Sequence, residues 1–235
     1  MPFVERDIPG FQGQLIEVWV YDPETNQKKQ LRGAQNFNTS EEKSETRVSE
    51  MGFDATKVIY GTAAYSVSCS MLVRDLVQIA RLCGLNPDTA DRINVNEFKK
   101  VNIVCWYKNP ENTSEIIQTK YAGGFKARTS STSQAVDANT TVTIEGGADY
   151  CASFEGKAEV YEVTGLTQDQ IDSGITIENV AENGVWLVEC PAGKAMDSAN
   201  YNVSYDTVNN TATITFNEPK PRPGWVLRVV YKPAS

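Results

Sequence analysis

Glu41, Glu42, Glu45 and Glu50 fall within one short polar stretch, and two carboxylates at the right separation can carry acid/base chemistry of the kind glycosidases use. No pair stands out among them, and Lys43 and Arg47 share the run, so a solvated, salt-bridged surface is the simpler reading. The chain has no histidine. That removes the usual general base near neutral pH, the Ser-His-Asp and Cys-His arrangements, and the commonest zinc ligand. Five cysteines, Cys69, Cys83, Cys105, Cys151 and Cys190, are widely spaced without a CxxC pair and read as reduced core thiols. Ala122-Gly-Gly-Phe125 and Glu145-Gly-Gly-Ala148 lack the spacing of phosphate-binding loops and read as a bulge or a strand corner. We therefore expect no catalytic residues, no metal ligands and no cofactor, and a protein that is not an enzyme.

The charge balance narrows the partners. The formal net charge is −8, with 17 basic against 20 acidic residues through Lys157 and 5 against 10 thereafter. Neither part offers the basic surface that tight nucleic-acid binding requires, although a wall that nucleic acid must slide past is helped by a negative balance. Residues 1–14 have neither a basic leader nor an apolar core of signal-peptide length, and no run of about 18 apolar residues occurs, so a soluble, cytosolic product is expected.

The elements that must position any site are mostly strands. Residues 15–21 (LIEVWVY) are β-branched and aromatic, end at a turn around Pro23 and Asn26, and pair with residues 27–33 as a hairpin. After the polar run of residues 35–52, residues 65–74 alternate, with Tyr65, Val67, Cys69, Met71 and Val73 on one face and Ser66, Ser68 and Ser70 on the other. A short amphipathic helix opens at Asp75, with Leu76, Ile79, Ala80 and Cys83 on its apolar side, and stops at Gly84. Strands are expected over 101–107, 115–121, 125–129 and 140–145, and a boundary near 154–157. Beyond it, 159–163, 175–179, 185–189, 201–205, 211–216 and 225–231 read as short strands, and 167–173 as one helical turn. The expected fold is mainly β: an antiparallel β-sandwich or partial barrel with one short flanking α-helix (residues 1–157), plus a small immunoglobulin-like C-terminal β-sandwich (158–235).

This order of elements, carried by residues 32–54 together with the alternating strand and helix of 65–84, resembles the tail tube proteins of tailed bacteriophages. The resemblance covers residues 1–157; residues 158–235 resemble the immunoglobulin-like modules that some members carry outside the tube. It implies a structural subunit of stacked hexameric rings that form a channel for genome delivery. It also implies a location in the virion tail after assembly in the host cytoplasm, and no membrane partner. Tape-measure protein and DNA would pass through the lumen, and sheath, baseplate and terminator proteins are further candidate partners. The polar run would be an arm ordering against a neighbouring subunit or ring, with Asn36, Phe37, Asn38, Glu41, Glu42, Lys43, Glu45, Arg47, Val48, Glu50 and Met51 as candidates. Deleting residues 36–50 is then expected to leave the monomer folded. Ser66, Ser68 and Ser70 would line the lumen. Two alternatives remain open: a β-rich adhesin with a receptor or carbohydrate site around Trp225, Tyr201 and Tyr205, and a tail terminator or the tube-initiating ring of a baseplate.

Overall fold

The computed structural model describes residues 15–22, 25–49, 56–72, 76–89, 92–133 and 140–234, with backbone alone for 44–49, 56–62, 95 and 132–133. Eight strands make the first sheet: β1 (Ile16–Tyr21), β2 (Lys28–Leu31), β3 (Ala34–Ser49), β4 (Thr56–Leu72), β5 (Val101–Lys108), β6 (Ile116–Ser133), β7 (Thr141–Ala148) and β8 (Tyr150–Glu155). Their order is β2-β1-β5-β6-β7-β4-β3, with β8 also pairing β6, and every pairing is antiparallel.

Strand β6 is the fold's corner. Its first half pairs β5 and β8 and its second half pairs β7, and the change occurs at the glycine pair. Gly124 has φ +61, and a Cβ there would sit 2.0 Å from Asp149 Oδ2; a Cβ on Gly146 would sit 2.2 Å from the Lys126 carbonyl. No other residue fits so close an approach. The sheet thereby folds over on itself without closing, and the two plies enclose one core. Val18, Val20, Ile103 and Cys105 face Phe37, Val67, Cys69, Met71, Phe125, Val142 and Ile144 inside it.

Helix α1 (Val77–Leu82) plugs that core with Ile79 and Leu82, and Cys83 follows them; of the apolar side expected from the spacing, Ile79, Ala80 and Cys83 are buried whereas Leu76 is exposed. The buried Gln78 side chain accepts the Arg32 N–H at 3.1 Å, tying the helix to the β2–β3 turn. All five thiols are free, and burial pushes those of Cys69, Cys83, Cys105 and Cys151 up to about 12 and that of Cys190 to about 11, so they are unreactive core groups.

The remaining strands form two three-stranded sheets. One has the order β10-β13-β12, from Ile175–Glu178, Thr211–Phe216 and Tyr201–Asp206; the other is β11-β14-β9, from Val180–Glu189, Leu227–Pro233 and Glu159–Val163. Ile175, Ile177, Ala212, Ile214 and Phe216 of one pack on Val188, Leu227 and Val229 of the other, which is a small sandwich. Helix α2 (Gln168–Ser173) closes one end and is started by a capping box between Thr167 and Gln170.

The structure departs from the sequence expectations in several places; the strands expected over 65–74 and 185–189, for example, begin at Thr56 and Val180. The polar run is a strand over most of its length. Residues 116–133, read as two strands, are one. β8, unassigned in the sequence, continues β7 along β6.

Strand β5 is buried at every position from Val101 to Trp106, which an ordinary half-wet strand never is. The cause is a third core on its outer face. Tyr21, Val104, Trp106 and Tyr121 of the first sheet pack against Ala158, Val160 and Val230 of the sandwich. Val104, Val160 and Val230 are of the size that contributes about 1.5–3 kcal/mol on full burial. The link at residues 156–158 is pinned as well. Trp106 Nε1 donates to the Ala158 carbonyl at 2.8 Å, and Thr119 Oγ1 donates to the Gly156 carbonyl at 2.6 Å while accepting the Ala158 N–H at 3.0 Å.

Candidate functional site

The ply formed by β3, β4, β7 and the second half of β6 has one face in the core and one in water. Cross-strand partners share a face, so the register defines what the wet side carries. Asn36 pairs Ser70, Asn38 pairs Ser68 and Ser40 pairs Ser66; these three serines in turn oppose Thr143, Glu145 and Gly147, and beyond them lie Ser131, Thr129 and Lys126. The result is a broad field of hydroxyls and amides. Ser66 is exposed, Ser68 and Ser70 are half-buried, and the Ser70 and Thr143 hydroxyls share a hydrogen bond of 2.9 Å. The three serines singled out in the sequence thus stand in one row on an open polar face. Arg128 lies across the same face, since a Cβ on Gly147 would come within 2.9 Å of its Nη2. With Lys126 and Arg128 against Glu42 and Glu145, the described part of this face is locally balanced, whereas the −8 of the whole chain suggested an acidic wall.

Both ends of this ply are open. Among the described residues, the outer edge of β3 takes no strand partner, and neither does the edge of residues 126–133, where β5 has already ended. Unpaired N–H and C=O rows are templates for another strand.

The ply also has a long extension. β3 and β4 stay paired from Ala34 and Met71 out to Ser49 and Thr56, but β7 accompanies β4 only as far as Tyr65. About seven residue pairs therefore project as a two-stranded ribbon, roughly 20 Å long at the usual rise per residue. Of the arm candidates, Asn36, Phe37, Asn38, Glu41, Glu42 and Lys43 lie in the part of β3 flanked by the sheet or at its margin. Glu45, Arg47 and Val48 lie on the projecting ribbon, and Glu50 and Met51 fall outside the described residues. Phe37 is fully buried, and its carbonyl accepts the Tyr107 hydroxyl at 2.8 Å, so it is a core residue and not an arm residue. A deletion of residues 36–50 would take Phe37 out of the core with the arm, so loss of stability is the expected outcome.

A second cluster sits where the sandwich meets the first sheet. Arg228, 4% exposed, donates from Nε to Glu162 at 2.6 Å and from Nη1 to Asp149 at 3.2 Å, and lies 3.7 Å from Glu189. Asn102 joins Glu162 at 2.7 Å and the Gly124 N–H at 2.9 Å, and Lys100 pairs Asp149 at 2.7 Å. Sequence reasoning missed this cluster because its members are far apart in the chain. The available signal was a charged residue next to apolar neighbours in each of three strands: Glu162, Glu189 and Arg228. Trp225 lines the adjoining cleft and packs partly on the sandwich core, and Asn102 and Arg228, in the same cleft, are both committed to Glu162.

Glu189 is wholly buried, and burial raises its carboxyl above the usual range despite the Gly193 N–H and Arg228. A carboxylate whose pKa is raised by folding destabilises the native state above that pKa, and the penalty is relieved as pH falls through it. Glu189→Gln is accordingly expected to be more stable than the parent at pH 8, with the gap closing as pH falls towards 4.5. Thermal melts across that range test it; a gap that widened on acidification would contradict it.

Among the described residues, no group of three or more Cys, Asp or Glu side chains is arranged to hold a metal, and no helix is long and apolar enough to cross a membrane.

No protein-family model and no curated protein matches the chain. Among solved structures it is similar to a chain of the anti-feeding prophage baseplate (10% identity, TM-score 0.44, covering 63% of this chain and 97% of that one). It is also similar to a chain of an extracellular contractile injection system's sheath-tube complex in the extended state (16%, 0.38, 65% and 94%). A third is the SPP1 tail tube (12%, 0.39, 63% and 80%).

Proposed function

We propose that this chain is a non-catalytic structural subunit that assembles head to tail into rings and stacked tubes, the tail tube of a phage-like particle. The observation that carries the reading is the four-stranded ply with a hydroxyl-rich wet face and two open edges. The strands β6, β7, β4 and β3 alternate in direction, so β3 runs opposite to β6. Placing the β3 edge of one copy against the β6 edge of the next continues the antiparallel order without a break. Such a contact is heterologous, and it closes into a ring if the rotation allows.

Six copies, the number the family resemblance implies, would give roughly 24 strands. At a spacing of about 4.8 Å and a tilt of about 40°, they enclose a barrel on the order of 50 Å across. The field around Ser66, Ser68 and Ser70 would then face the channel. Its neutral hydroxyls and offset charges would let DNA and a tape-measure protein pass without adhering. The projecting β3–β4 ribbon would reach the next ring, since an isolated two-stranded ribbon is marginal in water and gains from a partner. The small sandwich would stand on the outside, clear of the lumen, where sheath or other tail proteins could meet it.

Sedimentation and light scattering of the purified protein test this reading. Ring-sized or larger assemblies that grow with concentration are expected. A strict monomer at high concentration, with glycan affinity lost in Trp225→Ala, would favour the adhesin alternative. Growth that stopped at one or two rings would favour a terminator or baseplate ring.

A further inference from the structure

Resting on the tube reading, we propose that a charged clasp sets the direction and register of the junction between copies: Glu42 on β3 of one copy engages Lys126 and Arg128 on β6 of the next across the wet face, with Glu41 adding negative charge to the same edge from the strand's other face. The two open edges carry opposite charge. On β3, Glu41 and Glu42 are exposed at the point where β7 ceases to flank the hairpin; on β6, Lys126 and Arg128 are exposed, with Arg128 in the bulge between Ala127 and Thr129. Among the described residues Glu41 has one ion pair, to Lys43 at 3.2 Å, with both side chains about half exposed. Among the described residues, Glu42, Lys126 and Arg128 have none within the chain.

The register brings these groups to the same level. Ser40, Ser66, Gly147 and Lys126 form one row across the ply. Strands of a closed barrel are staggered, and a stagger of two residues at the junction preserves facing. It moves Glu42 opposite Lys126 on the wet face. The same charges act against the wrong contacts. An open strand edge can also pair with its own copy about a two-fold axis, which would end growth as a dimer. Two β3 edges would bring Glu41 and Glu42 against their equivalents, and two β6 edges would oppose Lys126 and Arg128. Both dimers are repelled, and only the head-to-tail contact brings unlike charges together.

The test uses two reversed variants of the full chain, Glu41→Lys/Glu42→Lys and Lys126→Glu/Arg128→Glu. All four side chains are exposed, so each variant is expected to melt like the parent. Each alone should need roughly a hundred-fold higher concentration to assemble. An equimolar mixture should assemble like the parent, because every junction in an alternating ring then joins unlike charges. Should a reversal prevent folding, Glu42→Gln/Arg128→Gln serves instead, and it should lose most of the parent's salt dependence of assembly. Reversed variants that assemble alone at the parent's concentration, a mixture that fails to assemble, or an unchanged salt dependence in the neutral variant would overturn the clasp and leave the tube reading standing. A parent that forms no assembly at all would overturn the tube reading itself.

Discussion

Arg228→Ala is expected to destabilise the whole protein by about 3–5 kcal/mol, the range for removing one partner of a buried ion pair. The reason is what the guanidinium leaves behind. Glu162 and Glu189 are at most 5% exposed, and both lie against Arg228, with Asp149 at its other side. Removing the cation strands these carboxylates in a site with little water. The loss is a large share of the 5–15 kcal/mol by which a typical domain is stable. It should also be felt in both sheets at once, because Asn102 and Gly124 of the first sheet are tied to Glu162 of the sandwich. Differential scanning calorimetry should show one transition in the parent and a lower one in the variant. Pairing Arg228→Met with Glu162→Gln and Glu189→Gln should recover most of the loss, since an apolar or neutral replacement of a whole buried cluster costs little. A change below about 1 kcal/mol for Arg228→Ala would mean that the cluster is far wetter than its burial indicates.

Replacing residues 44–62 with a two-residue Asn-Gly turn is expected to abolish stacking and leave the fold intact. Lys43 and Ala63 are direct cross-strand partners, so a two-residue turn can join them without changing the register. The cut removes the projecting ribbon alone and keeps Phe37 in the core. The melting temperature should move by no more than a few degrees, since the excised pairs lie beyond the flanking strand β7. Rings should remain visible while long tubes disappear. Loss of the monomer fold, or undiminished tubes, would show that the ribbon is not the contact between rings.

Much of the fold is legible because burial writes a period into the chain. Val67, Cys69 and Met71 alternate with Ser66, Ser68 and Ser70, and the α1 spacing locates the helix and three of its buried residues, Ile79, Ala80 and Cys83, though not the exposed Leu76. Strands β1, β5, β7, β9, β12 and β13 lie close to where their apolar residues put them. Strand β3 was not legible for the same physical reason. Its wet face and its projecting half need no apolar residues, so Ala34 and Phe37 alone are seen to mark the buried side and no alternation of hydrophobicity exists to be read. The Gly123-Gly124 pair is the strand corner its context suggested; only the continuity of β6 through it was missed, because a tight bend and a strand end call for the same residue. The polar face was visible in one strand, Ser66 to Ser70. Its extent across β3, β7 and β6 depends on a register that local sequence does not encode.

Electron microscopy of the purified full-length chain at high concentration tests the central claim most directly. The account predicts rings and stacked tubes, with a reconstruction in which β3 of each subunit pairs β6 of the next and Ser66, Ser68 and Ser70 face the channel. Dispersed monomers, or tubes whose channel is lined by another surface with that polar face turned outward, would contradict it.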